Sequence, residues 1–161
     1  MRKRIQAGFT MVELIVVIVI LGILAAVALP KFMGLEKEAR IAALKSMGGT
    51  LQSAAQMAHG VCIAQNCAPG ATIVMEGVSV TFVNRYPNAA SIASLVQSTE
   101  GFTVAGATFT KTGAAAVTCR VIYGPATLVG GVVVPPTLTY DATVMSAATA
   151  AAIDLNLRTV C

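Results

Sequence analysis

The chain has 161 residues and a mass of 16.4 kDa, room for one domain with an appendage but not for two full domains. Charged residues are 11%, against about 25% in ordinary soluble domains, while apolar residues are 56% and mean hydropathy is +0.78; a disordered tail, an acidic solvating region and a basic nucleic-acid coat are excluded, and a membrane or assembly protein is not. The net charge of +4 comes chiefly from Arg2, Lys3 and Arg4, and beyond residue 60 Arg85, Lys111, Arg120 and Arg158 balance Glu76, Glu100, Asp141 and Asp154, so no nucleic-acid partner is expected.

Residues 1–8 read as a short basic leader. From Phe9 to Leu29 the chain is apolar except for Thr10, Glu13 and the small Gly22. At about 1.5 Å per residue, a helix of that length spans about 30 Å, one bilayer core. The basic cluster precedes the span, so the positive-inside rule keeps that end in the cytoplasm and sends the remainder across. A secretory signal would end in a small-residue cleavage site, and Ala25-Ala26-Val27-Ala28 offers one. Against a signal, Gly8 precedes the apolar run, Glu13 interrupts it, and the run passes straight into helical sequence. A carboxylate in hydrocarbon is costly, so Glu13 is expected to have a partner or a task.

Pro30 should bend or locally break the helix. The helical pattern resumes at Leu35, with Leu44, Met47, Leu51, Ala54 and Ala58 at three- and four-residue steps, and Glu36 and Arg40 form an i,i+4 pair. Gly48-Gly49 weakens the helix but lies between well-patterned turns. The expectation is one helix from about residue 9 to about residue 60, with 9–30 embedded in the membrane and 31–60 an amphipathic continuation.

Residues 61–161 read as a globular head. Cys67-Ala68-Pro69-Gly70 ends the helix, and strands are predicted at Thr72–Met75 and Val78–Val83 around a Glu76-Gly77 turn. A short helix is predicted at Ala89–Gln97. Further strands are predicted at Phe102–Phe109, Ala116–Tyr123, Val132–Val134 and Thr137–Asp141, and a helical turn at 147–153. The fold class is α+β: a long spine helix packed on one small antiparallel sheet.

The four cysteines, Cys62, Cys67, Cys119 and Cys161, lack the two close pairs of a zinc site. Two disulfides in an oxidising compartment are expected, and no metal. His59 has no third ligand or orienting acid near it in sequence and reads as a helix-end surface residue. No G-x-S-x-G, P-loop or G-x-G-x-x-G motif occurs, so no catalytic residue and no cofactor is expected.

Ala7-Gly8-Phe9-Thr10-Met11-Val12-Glu13-Leu14, between a basic leader and a hydrophobic helix, resembles the N-terminus of a type IV prepilin. That family has Gly at the cleavage point, Phe next and Glu four residues after the Phe; Met11 stands where Leu is commoner. The resemblance implies cleavage after Gly8 by a prepilin peptidase and N-methylation of Phe9. It also implies storage in the inner membrane, extraction by the assembly machinery and homopolymerisation through the N-terminal helix into an extracellular filament. In such filaments the stretch between the positions of Gly22 and Pro30 can lose helical form. The new Phe9 amine is the natural partner of Glu13, on the same chain or, with axially staggered helices, on a neighbour.

Four cysteines allow three pairings. Cys62 with Cys67 and Cys119 with Cys161 requires no crossing between regions, and the second pair resembles the disulfide closing a pilin's C-terminal loop. The short disulfide at the helix end and the Arg85-Tyr86-Pro87 segment look most like mannose-sensitive haemagglutinin-type pilins. The function expected is therefore a structural pilus subunit serving adhesion, motility or DNA uptake. The alternatives are a pseudopilin of type II secretion, whose major form usually carries an acidic calcium loop not evident here, and a DNA-binding minor pilin, which needs a positive stripe.

Overall fold

The computed structural model describes residues 9–114, 118–140, 153, 157–159 and 161. Helix α1 runs Met11–Ala64, and the chain divides into two compact units, Met1–Lys37 and Glu38–Cys161. In the first unit, side chains from Phe9 to Phe32 are exposed all round the helix, including Leu14, Ile18, Leu21 and Leu29. A helix apolar on every side has no polar face to turn to water, as a membrane span requires. The local break expected at Pro30 is absent, and α1 is continuous through both Gly22 and Pro30. The residues that precede a proline by one turn lose one hydrogen bond, which long flanking helical runs on both sides can tolerate.

In the second unit α1 becomes one-sided. Ile41, Leu44, Met47, Leu51, Ala55, Ala58 and Cys62 recur at three- and four-residue steps and are buried. Ala55, not the predicted Ala54, lies on this stripe, and Leu35 is exposed. The stripe divides between two cores. Its first part packs with Ile92, Phe109, Val121, Tyr123 and Leu157, its last part with Cys67, Val80 and Phe82. Each aliphatic side chain so buried contributes roughly 1.5–3 kcal/mol.

The helix stops through backbone geometry that the cysteines reinforce. Asn66 adopts φ 50°, its N–H donates to the Ile63 carbonyl at 3.0 Å, and the Cys67 N–H donates to the Cys62 carbonyl at 2.8 Å. This is a Schellman cap with Asn in the left-handed position. In such caps an apolar contact commonly joins the residues that here are Cys62 and Cys67, and in this chain that contact is a disulfide, Cα–Cα 5.0 Å.

Among the described residues the head holds three antiparallel sheets where one was expected. The first is β1 (Thr72–Met75), β2 (Val78–Val83) and β3 (Tyr86–Pro87), in that spatial order. β1 and β2 pair from Met75↔Val78 around Glu76 and Gly77, both at positive φ, the two-residue turn that the sequence predicts. β3 was not predicted; Asn84 and Arg85 take φ 50° and 68° and fold the chain back onto β2. The second sheet has the order β4 (Phe102–Ala105), β5 (Thr108–Lys111), β6 (Arg120–Gly124), then β9 (Thr137–Tyr140). The single strand expected over Phe102–Phe109 is instead a hairpin, because Gly106 at φ 59° reverses the chain between Ala105 and Thr108. The third is a separate ribbon of β7 (Thr127–Val129), also unpredicted, and β8 (Val132–Val134), turning on Gly130-Gly131.

The helix expected at Ala89–Gln97 is reduced to a 3₁₀ turn at Ile92–Leu95. The Ser91 N–H donates to Asn88 Oδ1 at 2.8 Å, while Val96 is already extended at ψ 118°, leaving too few residues to nucleate an α-helix. Of the predicted strand Ala116–Tyr123, residues 116 and 117 lie outside the described residues, as do Asp141 and all but Ile153 of the predicted turn at 147–153. The C-terminal end is held by buried Leu157, by the Cys119–Cys161 disulfide (Cα–Cα 4.8 Å) and by a half-exposed Arg158–Glu38 ion pair. The disulfide spans 42 residues, a closure worth about 4 kcal/mol, whereas the exposed pair adds at most about 1.

Two substitutions separate close packing from helix propensity. A Cβ at Gly48 would overlap the Tyr140 hydroxyl, whereas one at Gly49 meets nothing within 4 Å. Gly48→Ala is therefore expected to lower stability by about 1–3 kcal/mol, and Gly49→Ala to raise it by up to about 1 kcal/mol; thermal unfolding of the detergent-solubilised chain measures both.

A third concerns alkaline stability. The buried Tyr123 hydroxyl donates to the Pro87 carbonyl at 2.9 Å. Burial, with Tyr86 adding to it, pushes its pKa well above the ordinary 10.0, and burial also raises that of Tyr140 against an opposing pull from Lys45. The folded state therefore prefers the neutral phenol. Its contribution is complete below pH 10 and lost as pH rises beyond that value, because the unfolded chain ionises first. Tyr123→Phe should cost about 1 kcal/mol at neutral pH and flatten the fall in stability above pH 10, read from denaturation midpoints across pH.

Candidate processing and assembly site

The start of α1 is a reciprocal cap. Thr10 Oγ1 accepts the Glu13 N–H at 3.2 Å, and Glu13 Oε2 accepts both the Thr10 N–H and the Thr10 hydroxyl at 2.9 Å. The T-x-x-E spacing before an apolar run is the sequence signature of this capping box. It was legible in Thr10-Met11-Val12-Glu13 and overlooked beside the question of Glu13's charge. The cap answers part of that question: the carboxylate satisfies two donors and sits in the first turn, where the helix dipole favours negative charge. Oε1 takes no hydrogen bond among the described residues. Phe9 is almost fully exposed beside it, and Gly8 lies outside the described residues.

The remaining predicted residues fall elsewhere. Gly22 and Pro30 lie exposed within α1. Cys62, Cys67, Cys119 and Cys161 form the two expected disulfides. His59 is more than a surface residue at a helix end. Its ring stacks on Tyr86 with centroids 3.9 Å apart, and its Nδ1 lies 2.9 Å from the Arg85 carbonyl, so that nitrogen carries the proton and donates. This contact holds the β2–β3 turn in a conformation that Arg85 alone disfavours. Among the described residues no group of three or more His, Cys, Asp and Glu could hold a metal.

Phe9 is thus exposed just ahead of a helix whose first turn is capped by Glu13 and whose following residues are apolar. Residues 3–29 match the family described as the prokaryotic N-terminal methylation motif. The chain is 35% identical to fimbrial protein EcpC of Eikenella corrodens over 86 residues, 52% of this chain and 56% of that one. It is 36% identical to the type IV major fimbrial protein FimA of Dichelobacter nodosus over 52 residues, 32% of this chain and 33% of that one. It is 47% identical to the type II secretion system core protein G of Pseudomonas aeruginosa over 45 residues, 28% of this chain and 32% of that one. The chain thus spans between about a third and just over half the length of these curated relatives. No solved structure matches it. By its methylation motif and its fimbrial relatives, the chain is similar to type IV pilins, most clearly over its N-terminal residues.

Proposed function

We propose that this chain is the structural subunit of a type IV pilus, a building block and not an enzyme. A prepilin peptidase cleaves after Gly8, Phe9 is N-methylated, and the subunit waits as a single-pass protein of the inner membrane. Assembly machinery then withdraws it into a homopolymer held by its N-terminal helices. The observation that carries this reading is the methylation motif at residues 3–29 leading into a helix apolar on every face with one acid in its first turn.

The cap supplies a mechanism for register. Glu13 Oε2 is committed to its own Thr10, which leaves Oε1 to receive the Phe9 amine of an axially displaced neighbour. A misplaced neighbour would strand a cation and an anion in an apolar bundle, so the pairing selects one stagger. Gly22 and Pro30 are the points at which α1 would yield if packing in the filament required it. The comparison with core protein G favours a second reading, a pseudopilin of a secretion apparatus. The two differ in product, since only the first yields long surface fibres. A DNA-binding minor pilin finds no support: Lys111 is turned onto the Gly101 carbonyl at 2.9 Å and the Phe102 ring at 4.9 Å. The mannose-sensitive haemagglutinin subtype rests only on the short disulfide and the Arg85-Tyr86-Pro87 segment.

Glu13→Ala tests the mechanism. Cleavage and membrane insertion should persist, because Gly8 and Phe9 are untouched and the span becomes more apolar. Surface fibres should fall by about tenfold or more, with cleaved subunit accumulating in the membrane. Fibres at normal abundance, counted by electron microscopy, would show that the acid has no part in assembly.

A further inference from the structure

The β7–β8 ribbon is unlike every other strand pair in the head. Leu128, Val129, Val132, Val133 and Val134 are all exposed, Val129 by 63% and Val132 by 68%. No residue from Pro125 to Pro136 is charged. An uncharged, exposed two-stranded ribbon is an edge that soluble proteins normally cover or interrupt with charge. Prolines stand at its base on both sides and Gly130-Gly131 closes its tip, so it projects as a short, stiff finger.

The same unit contains an open groove of about 1170 Å³ between the C-terminal part of α1, the β1–β2 hairpin and the 3₁₀ turn. Met57, Val61, Ala64, Val74 and Leu95 line it, and Glu76 supplies its one charged side chain. β1, the edge of its sheet, forms one wall.

Finger and groove lie on opposite flanks of α1. At about 100° per residue, His59 is roughly 150° around the helix from Met57, Val61 and Ala64. The first sheet crosses the helix in the order β1, β2, β3, with β1 at the groove and β3 placing Tyr86 on His59. Asn84 Nδ2, next to that turn, donates to the Ala126 carbonyl at 3.1 Å and pins the base of the finger to the His59 flank. A finger fixed there cannot fold into its own groove. A contact between two different patches of identical chains is heterologous and, where its rotation does not close a ring, propagates as an open helical array.

We propose that the β7–β8 finger of one subunit seats in the α1/β1–β2 groove of the next, a contact that rests on the pilus reading above. Size argues for a second copy of this chain as occupant. The finger offers on the order of a few hundred Å² of apolar surface, well below the roughly 800 Å² per partner of a free-standing interface. It can hold only a partner already brought alongside, which is what polymerisation through residues 9–30 provides. The finger carries no charge and the groove only the exposed Glu76, so the contact brings no like charges together.

The test uses the full chain assembled into fibres, with a benzoylphenylalanine placed at Val129 and irradiated in the intact fibre. The expected product is a crosslinked dimer whose digest joins Val129 to Met57 or its groove neighbours on a second copy. Crosslinks that map to any other surface, to lipid or to another protein, in fibres of normal yield, overturn this contact and leave the pilus reading standing. Failure of the unaltered chain to enter any fibre overturns both. As a second measure, Leu128→Asp combined with Val132→Asp should reduce fibre yield by about tenfold or more while both disulfides still form; undiminished fibres would overturn the proposal.

Discussion

One stripe along α1, from Ile41 to Cys62, is the constraint to which the head answers. Its members are buried at helical spacing, and both cores are built on it. The stripe grows smaller toward its end, from Ile, Leu and Met to Ala55, Ala58 and Cys62. That taper admits the first sheet close to the helix, where Val80 and Phe82 fill the space. Gly48 has the same effect for the second sheet, letting the Tyr140 ring lie against the helix backbone. The Schellman cap with its Cys62–Cys67 bridge then ends the stripe and starts the chain toward β1.

The two parts of α1 obey different solvents. Up to Pro30 the helix is apolar on all sides, and from Ile41 onward one stripe is buried. The same repeating backbone runs through both parts, with only the distribution of polar side chains changing along it. Glu13 is the exception inside the apolar part. Its capping geometry gives it an intrachain task through Oε2, while Oε1 takes no hydrogen bond among the described residues.

The helix, the Cys62–Cys67 bridge, and the β1 and β2 boundaries were legible because each rests on a local signal: apolar length, a short cysteine spacing, a Glu-Gly turn. The Cys119–Cys161 pairing, 42 residues apart, was favoured by the pilin resemblance and the absence of crossing. The β2–β3 turn was not, because it needs Arg85 at positive φ, which only His59, 26 residues earlier in the chain, makes tolerable. The hairpin at Gly106 was missed because Ala105-Gly106-Ala107 carries no polar turn residue to interrupt the run from Phe102 to Phe109. The ribbon at Thr127–Val134 gave an ambiguous pattern, since neither of its faces is buried and no alternation marks one. Its lack of burial is itself the feature that points to assembly. At the candidate site the residue types were readable, but the engagement of Glu13 Oε2 by its own Thr10 is a matter of side-chain geometry.

The central claim is that the first residues of α1 form a processed end built for polymerisation. The most direct measurement is intact mass and N-terminal sequencing of the protein in sheared surface fibres. The account predicts a chain beginning at N-methylated Phe9 with both disulfides closed. A chain beginning at Leu29, after the alternative small-residue site, or one absent from the fibres altogether, would contradict it.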